Sequence, residues 1–246
     1  EVFMSVLSVR NLRVRNGESL LVKDLNFDLI SGEITALVGK SGSGKTLSAL
    51  ALLGFTPHNL KSEARILIDG VESSNEFAVV MQNPRTAFNP IVTLKNHFTE
   101  TIKASGKKLE RERVEEILNE VGLNAALLKK YPFELSGGQL QRMMVALALV
   151  SQKKFIVADE PTTDLDSVSQ AIVLRLFKKA AELNDVGILL ITHDFSAAAS
   201  VATNALVMHE GEIIESGLAR EVFKTPKSKI SKELLGAHLS LYEEKI

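Results

Sequence analysis

A chain of 246 residues with 45% hydrophobic and 24% charged residues carries enough apolar side chain for a sizeable buried core, which excludes a disordered or fibrous protein. Its 29 basic and 30 acidic side chains leave a net charge of -1, so there is no global electrostatic pull toward nucleic acid or an acidic membrane surface. The absence of cysteine excludes disulfides, and no apolar run approaches the roughly 20 residues needed to span a bilayer; Met143 to Val150 and Val186 to Ile191, the longest, read as buried core.

The N-terminus shows no basic, apolar, small-residue signal pattern, so a cytoplasmic location is expected. Glu1, Val2 and Phe3 precede Met4, a residue compatible with a natural start, and stand outside the reading. Val6 to Val14 and Leu25 to Ile30 are β-rich runs on either side of the turn-forming pair Asn16-Gly17, which predicts a small antiparallel sheet with a hairpin. Ile34 to Val38 is a compact apolar strand; it runs into glycines and then into the apolar segment Leu47 to Leu53, an order of strand, loop and helix.

The loop Gly39-Lys40-Ser41-Gly42-Ser43-Gly44-Lys45-Thr46 matches G-x-x-x-x-G-K-S/T. Small residues let backbone N–H groups curl around phosphate oxygens at a helix N-terminus, and Lys45 adds a charge at the β/γ-phosphates. Thr46 offers a hydroxyl to Mg²⁺, which prefers hard oxygen ligands. A glycine turn matching by chance is the competing reading, and the strand before and helix after weigh against it. The motif marks an NTPase without choosing among NTPases.

Phe77 to Met81 predicts another strand. From Asn83 to Lys154 strand signals give way to helical ones, which predicts an inserted helical subdomain. There Val114, Ile117, Leu118 and Val121 share one helical face, and Glu110, Arg111, Glu112, Arg113, Glu115 and Glu116 form a solvated remainder. Leu135-Ser136-Gly137-Gly138-Gln139 directly precedes the helical run Leu140 to Val150, so a hydroxyl, glycine N–H groups and a positive helix end converge as a second anion site. One chain rarely needs two phosphate cradles for one nucleotide; this one is expected to grip the γ-phosphate of ATP bound to another copy or paralogue. The alternative is an ordinary glycine turn with a capping serine.

Phe155 to Ala158 is an apolar strand that ends in Asp159 and Glu160, placing both acids at the C-terminal edge of a parallel sheet, where ligands bind. Burying two acids is costly unless their charge is used. Magnesium held through Asp159 by way of water, and a nucleophilic water polarised by Glu160, would use it. Alone, such a pair more often caps the next helix; behind a phosphate loop the catalytic reading is preferred. Val168, Ile172, Val173, Leu176, Phe177 and Ala180 then predict a helix packed on the sheet, Gly187 to Ile191 a further buried strand, and Lys227 to Tyr242 a terminal helix.

The phosphate loop, LSGGQ and the acid-ended strand, in this order, are the signature of ABC ATPases, and the chain resembles that family over nearly its whole length. The resemblance implies an α/β fold: a P-loop NTPase core with a mostly parallel sheet and an N-terminal antiparallel β-subdomain over 1–82 and 155–246, and an inserted helical subdomain over 83–154. It implies ATP and Mg²⁺ as cofactors, with Thr46, Gln82 and Asp159 serving the metal and Gln82 also touching the attacking water. His193 then contacts the γ-phosphate, beside Glu160 as catalytic base. Gly39, Ser41, Gly42, Ser43, Gly44, Lys45 and Thr46 would bind the nucleotide in one subunit, and Ser136, Gly137, Gly138 and Gln139 would reach it from the other. Asp166, in Thr163-Asp164-Leu165-Asp166, matches the loop that crosses the dimer interface. Implied partners are a second ATP-binding subunit, identical or homologous, transmembrane permeases at the cytoplasmic face of the membrane, and indirectly an extracytoplasmic solute-binding protein, with no nucleic acid.

One feature departs from the family. An aromatic ring near the end of the first strand pair often stacks on adenine, whereas this region reads Val14-Arg15-Asn16, with the Arg15 guanidinium plane as a substitute. Met81-Gln82-Asn83-Pro84-Arg85-Thr86-Ala87-Phe88-Asn89-Pro90, Tyr131-Pro132-Phe133-Glu134, Ala158 to Thr163 and the ending Ala237 to Tyr242 resemble the oligopeptide and nickel importer branch. Some peptide importers carry a cysteine-rich C-terminal extension, so the short cysteine-free tail favours nickel or a metal chelate over oligopeptides as cargo. His58, His97, His193, His209 and His238 show no close ligand spacing for a metal site of the chain's own. A soluble family member acting on nucleic acid or ribosomes is the other functional class; its long coiled coils, zinc cysteines or paired ATPase domains are not seen here.

Overall fold

The computed structural model describes residues 4–73 and 76–243, with side chains as far as Gly236, so Glu1 to Phe3 and the side chains of Ala237 to Tyr242 lie outside the described residues. Strands β1 (Val6–Asn16) and β2 (Ser19–Ile30) form the expected hairpin. Leu7, Val9, Leu12 and Val14 alternate inward from one strand, and Val22, Leu25, Phe27 and Leu29 from the other. On the outer face Arg10 pairs with Asp28 and Arg13 with Asp24, and the ladder continues past the β-rich runs to Asn16 opposite Ser19. β3 (Ile34–Val38) is buried at every position and feeds the phosphate loop and α1 (Lys45–Leu52). β4 (Lys61–Ile68) and β5 (Val71–Glu72) complete a four-stranded antiparallel sheet in the order β2-β1-β4-β5.

After β6 (Phe77–Val80) the chain turns helical. α2 (Pro84–Ala87), α3 (Leu94–Ala104) and α4 (Arg111–Glu120) lead through 3-10 turns at Ala125–Lys129 and Pro132–Glu134 into α5 (Gly137–Val150). Val114, Ile117, Leu118 and Val121 are buried as their spacing predicts. Arg113, from the charged run, departs from a purely solvated role: it pairs with Glu116 and Glu120 and donates to Asn184 Oδ1 at 2.8 Å.

The second half adds β7 (Phe155–Asp159), α6 (Ser167–Asn184), β8 (Gly187–Thr192), α7 (Phe195–Val201), β9 (Asn204–His209), β10 (Glu212–Leu218), α8 (Ala219–Lys224) and α9 (Lys229–Glu243). The six-stranded sheet runs β10-β9-β3-β8-β7-β6, parallel from β9 to β6 with β10 antiparallel at its edge. The architecture is therefore α/β with a mostly parallel sheet. One face of this sheet packs with the antiparallel sheet and α1, while Ile156, Ile188 and Leu190 on the other pack with α5 and α6. Because β3, β6, β7 and β8 point the same way, their C-terminal ends lie along one edge and bring together the segments that follow them.

The α6 stripe needs one correction. Val173, Phe177 and Ala180 are buried, with Leu174 and Ala181, but Val168 is 67% exposed. Nine residues, or two and a half helical turns, separate Val168 from Phe177, so the two side chains lie on opposite sides of the helix.

Candidate functional site

The phosphate loop leaves β3 and closes on itself around Lys45, which is 6% exposed. Its Nζ donates to the Gly39 carbonyl at 2.7 Å and the Lys40 carbonyl at 3.0 Å. Burial pushes this amine below the usual lysine range, while the carboxylates of Glu160 and Asp159 pull it back up. Gly44, at φ +107°, supplies the left-handed turn just before α1. Ser43 is buried, and its Oγ has no hydrogen-bond partner among the described residues.

Thr46 follows Lys45 on the first turn of α1 and reaches the end of β7, donating from Oγ1 to Asp159 Oδ1 at 3.3 Å. Burial pushes the Asp159 carboxyl above the ordinary range; the Thr46 hydroxyl opposes this and the neighbouring Glu160 adds to it. Glu160 comes next, with φ +47° and its N–H donating to the Ile191 carbonyl at 2.9 Å. That turn aims its Oε1 at His193 Nδ1, 2.8 Å away, and Thr163 Oγ1 donates to its Oε2 at 3.3 Å.

These groups meet in a cavity of about 710 Å³ lined by Ser41, Gly42, Gly44, Lys45, Thr46, Gln82, Glu160 and His193, with Leu21 and Leu47. Gln82 arrives just beyond β6, His193 just beyond β8, and the loop just beyond β3. Of the residues expected here, Gly39, Ser43 and Asp159 do not line the cavity: Gly39 holds Lys45 from below, Ser43 is buried, and Asp159 stands behind Thr46.

Ser136, Gly137, Gly138, Gln139 and Asp166 go elsewhere. They line a second cavity of about 360 Å³ with Arg142, Ser169 and others, and it shares no lining residue with the first. Ser136 opens α5 with a reciprocal cap: Gln139 N–H donates to Ser136 Oγ at 3.3 Å, and Ser136 N–H donates to Gln139 Oε1 at 3.0 Å. The capping serine weighed as an alternative is thus present, on a helix end that also faces a cavity. Asp166 caps α6 by accepting from Val168 N at 3.0 Å and Ser169 N at 2.9 Å, and the Ser169 hydroxyl bond holds its carboxyl below the usual range.

Arg15, the expected base-stacking group, is exposed and does not line the cavity. Leu21 does, and it went unnoticed in the sequence. Its signal was the unbroken run Leu20-Leu21-Val22 inside an otherwise alternating strand. Among the described residues no group of three or more His, Cys, Asp or Glu side chains could hold a metal, so a cation here would draw on Thr46, Asp159 and phosphate oxygens. Among the same residues no helix is long and apolar enough to cross a membrane.

A family model described as ABC transporter matches residues 22–163. The nickel import ATP-binding protein NikD of Brucella abortus is 43% identical over 236 residues, covering 92% of this chain and 90% of that protein. NikD of Pseudomonas putida is 41% identical over 245 residues, covering 95% and 96%. Among solved structures, cbiO1 from Clostridium perfringens, described as part of the ABC transporter complex cbiONQ, matches 98% of both chains with a TM-score of 0.76 and 25% identity. An ATP binding subunit of an ABC transporter, 24% identical with a TM-score of 0.76, shares the fold over 97% of this chain and 98% of its own. The chain belongs to the ABC transporter family.

Proposed function

We propose that this chain is the ATP-hydrolysing subunit of an importer for nickel or a nickel chelate, working in pairs at the cytoplasmic face of the membrane. The observation that carries the reading is the meeting of Lys45, Thr46, Gln82, Glu160 and His193 in one cavity. Those are the groups that transfer of a phosphoryl group to water requires: a cradle, a cation on the phosphates, a base and groups that orient the attacking water. Lys45 and the N–H groups of Ser41 to Thr46 hold the triphosphate. Gln82 orients the water, Glu160 takes its proton, and His193 contacts the γ-phosphate while its Nδ1 steadies the Glu160 carboxylate at 2.8 Å. Mg²⁺, held by Thr46 and Gln82 and through water by Asp159, would neutralise charge on the phosphates.

The second cavity is read as the grip on a partner's nucleotide. Ser136 and the N–H groups of Gly137 and Gly138 would bridge to the γ-phosphate on the opposite loop, with Asp166 beside them at the crossing. Each charge-assisted hydrogen bond contributes roughly 1.5–3 kcal/mol, so several per phosphate bias a two-state dimer toward closure, and hydrolysis removes the bridge. Residues 83–154 act as the subdomain that passes this movement on, because they begin directly after Gln82. Exposed apolar groups at Ile91 and Phe133, with Tyr131 stacked on Phe133 at 5.5 Å, support a permease contact on this segment.

The nickel assignment draws on the names of the relatives at 41% and 43% identity. It is tested by deleting the gene and measuring uptake of radioactive nickel beside a labelled oligopeptide. Loss of nickel uptake with peptide uptake intact is expected; the reverse result moves the cargo to peptides and leaves the ATPase reading in place.

A further inference from the structure

We infer that a third cavity, at the seam between the helical segment and the sheet, binds a phosphate monoester with an apolar body. Its volume is about 470 Å³, inside the range of roughly 300–1,000 Å³ typical of small-molecule sites. Lys107 and Arg113 enter it from the α3–α4 loop and α4, and Lys153, Lys154 and Asp185 from the turns that lead into β7 and β8. Those turns precede the N-terminal ends of the two strands, whereas Glu160 and His193 follow their C-terminal ends, so this cavity lies at the opposite edge of the sheet from the nucleotide cavity. It shares no lining residue with either cavity described above.

Four cations line this cavity against one carboxylate, and part of that charge has a structural use. α5 and α6 both end here, at Val150 and Asn184, and cations suit the negative end of a helix. Lys107 Nζ donates to the Gln152 carbonyl just past α5 at 2.7 Å. Arg113 is matched by Glu116 and Glu120 and bonds Asn184 Oδ1 at 2.8 Å. Lys154 Nζ donates to Ser5 Oγ at 2.6 Å, beside a chain in which Ser5 N–H donates to Ser31 Oγ at 3.0 Å and the Ser31 hydroxyl donates to Asp185 Oδ1 at 3.0 Å.

These uses do not exhaust the two lysines. An ammonium carries three N–H donors; Lys107 and Lys154 each use one, on a neutral oxygen, and neither pairs with a carboxylate among the described residues. Each bond fixes its side chain at the cavity, which lowers the ordering cost of a further contact. Leu109, Ile117, Leu149 and Val186 make another wall apolar. A phosphate monoester answers both features: it carries a charge of about −1.5 to −2 near pH 7 and three acceptor oxygens for the lysines, while its organic group lies on the apolar wall.

The test is calorimetric titration of the full chain, saturated with MgADP to fill the nucleotide cavity, with phenyl phosphate, inorganic phosphate and phenol. Phenyl phosphate should bind with a dissociation constant below about 1 mM, inorganic phosphate at least about threefold more weakly, and phenol not measurably. Lys107→Gln and Lys154→Gln each keep an N–H donor for the Gln152 or Ser5 oxygen but remove the charge, so each should weaken phenyl phosphate by about tenfold while the melting temperature holds. No binding of phenyl phosphate up to about 10 mM, or binding that both variants leave intact, overturns the site. Inorganic phosphate binding as tightly as phenyl phosphate overturns the role of the apolar wall, and phenol binding as tightly overturns the role of the lysines.

Discussion

Glu160 and His193 face each other across the ends of neighbouring strands, Oε1 and Nδ1 2.8 Å apart, and the geometry depends on the left-handed backbone of Glu160 at φ +47°. Glu160→Gln keeps an oxygen that can accept from Nδ1–H and keeps the shape, but removes the base. We expect ATP binding to persist, hydrolysis to fall by about 100-fold or more, and an ATP-dependent dimer to accumulate. Phosphate release and size-exclusion chromatography read the two effects, and near-normal turnover would take Glu160 out of the role.

Lys45→Ala removes the buried ammonium that now donates to the Gly39 and Lys40 carbonyls. A charge-assisted contact of about 1.5–3 kcal/mol to phosphate corresponds to a loss of about 10- to 150-fold in ATP affinity. Unchanged affinity by calorimetry would contradict the assignment.

Asp159 carries a pH prediction. Burial raises its folded-state pKa, so the ionised carboxylate destabilises the fold above that pKa and the penalty is relieved as pH falls through it toward the unfolded-state value. Asp159→Asn should therefore raise the melting temperature of the nucleotide-free chain near neutral pH by about 2–4 °C, a gain that shrinks as the pH is lowered through the carboxylate range. With MgATP the order should reverse, since the variant loses a group that serves the cation. A variant less stable than wild type near neutral pH without nucleotide would mean that Asp159 is not carrying a buried-charge penalty.

Gly211 is the least replaceable residue of the β9–β10 turn. At φ +82°, with a Cβ placed 2.4 Å from the Leu21 carbonyl, Gly211→Ala must displace β2 or the turn. Since Gly211 also bonds the Ser43 carbonyl, the loss should reach the phosphate loop: about 1–3 kcal/mol of stability together with weaker ATP binding. Chemical denaturation and calorimetry on the same sample check both, and a destabilised chain with unchanged affinity would uncouple the turn from the loop.

What could be read in advance follows from what local sequence encodes. Gly39 to Thr46, Ser136 to Gln139 and Asp159-Glu160 are contiguous, and their chemistry needs only neighbours in the chain, so each was visible. Their grouping is a matter of topology: parallel β3, β6, β7 and β8 share an edge and bring Gln82 and His193 to Lys45, which the motifs suggested only through the resemblance. β4 stayed hidden because Lys61, Glu63 and Arg65 make it polar and exposed, and its pairing with β1 is a long-range contact. Leu21 was missed for a similar reason. Whether Arg15 or Leu21 meets the cavity depends on the irregular β1–β2 register near Val14, where the partner positions shift.

The separation of the two cavities leads to the last prediction. Within one chain the Ser136 to Gln139 cavity and the Lys45 cavity have no lining residue in common. Gly137 and Gly138 nonetheless line a cavity at the N-terminal end of α5, where a helix end favours an anion. If that anion belongs to the partner's nucleotide, damage to the two cavities should complement between chains. Ser136→Arg fills one cavity and Lys45→Ala disables the other, so each variant alone forms dimers with no intact composite site. A mixed dimer pairs the undamaged loop of the Ser136→Arg chain with the undamaged signature of the Lys45→Ala chain and restores one site of two. An equal mixture should then recover roughly a quarter of wild-type hydrolysis if dimers form at random and sites act independently. Less recovery is expected if the two sites must fire together. Mixtures that hydrolyse no faster than either variant alone, despite demonstrated mixed dimers, would place Ser136 outside the partner's active site.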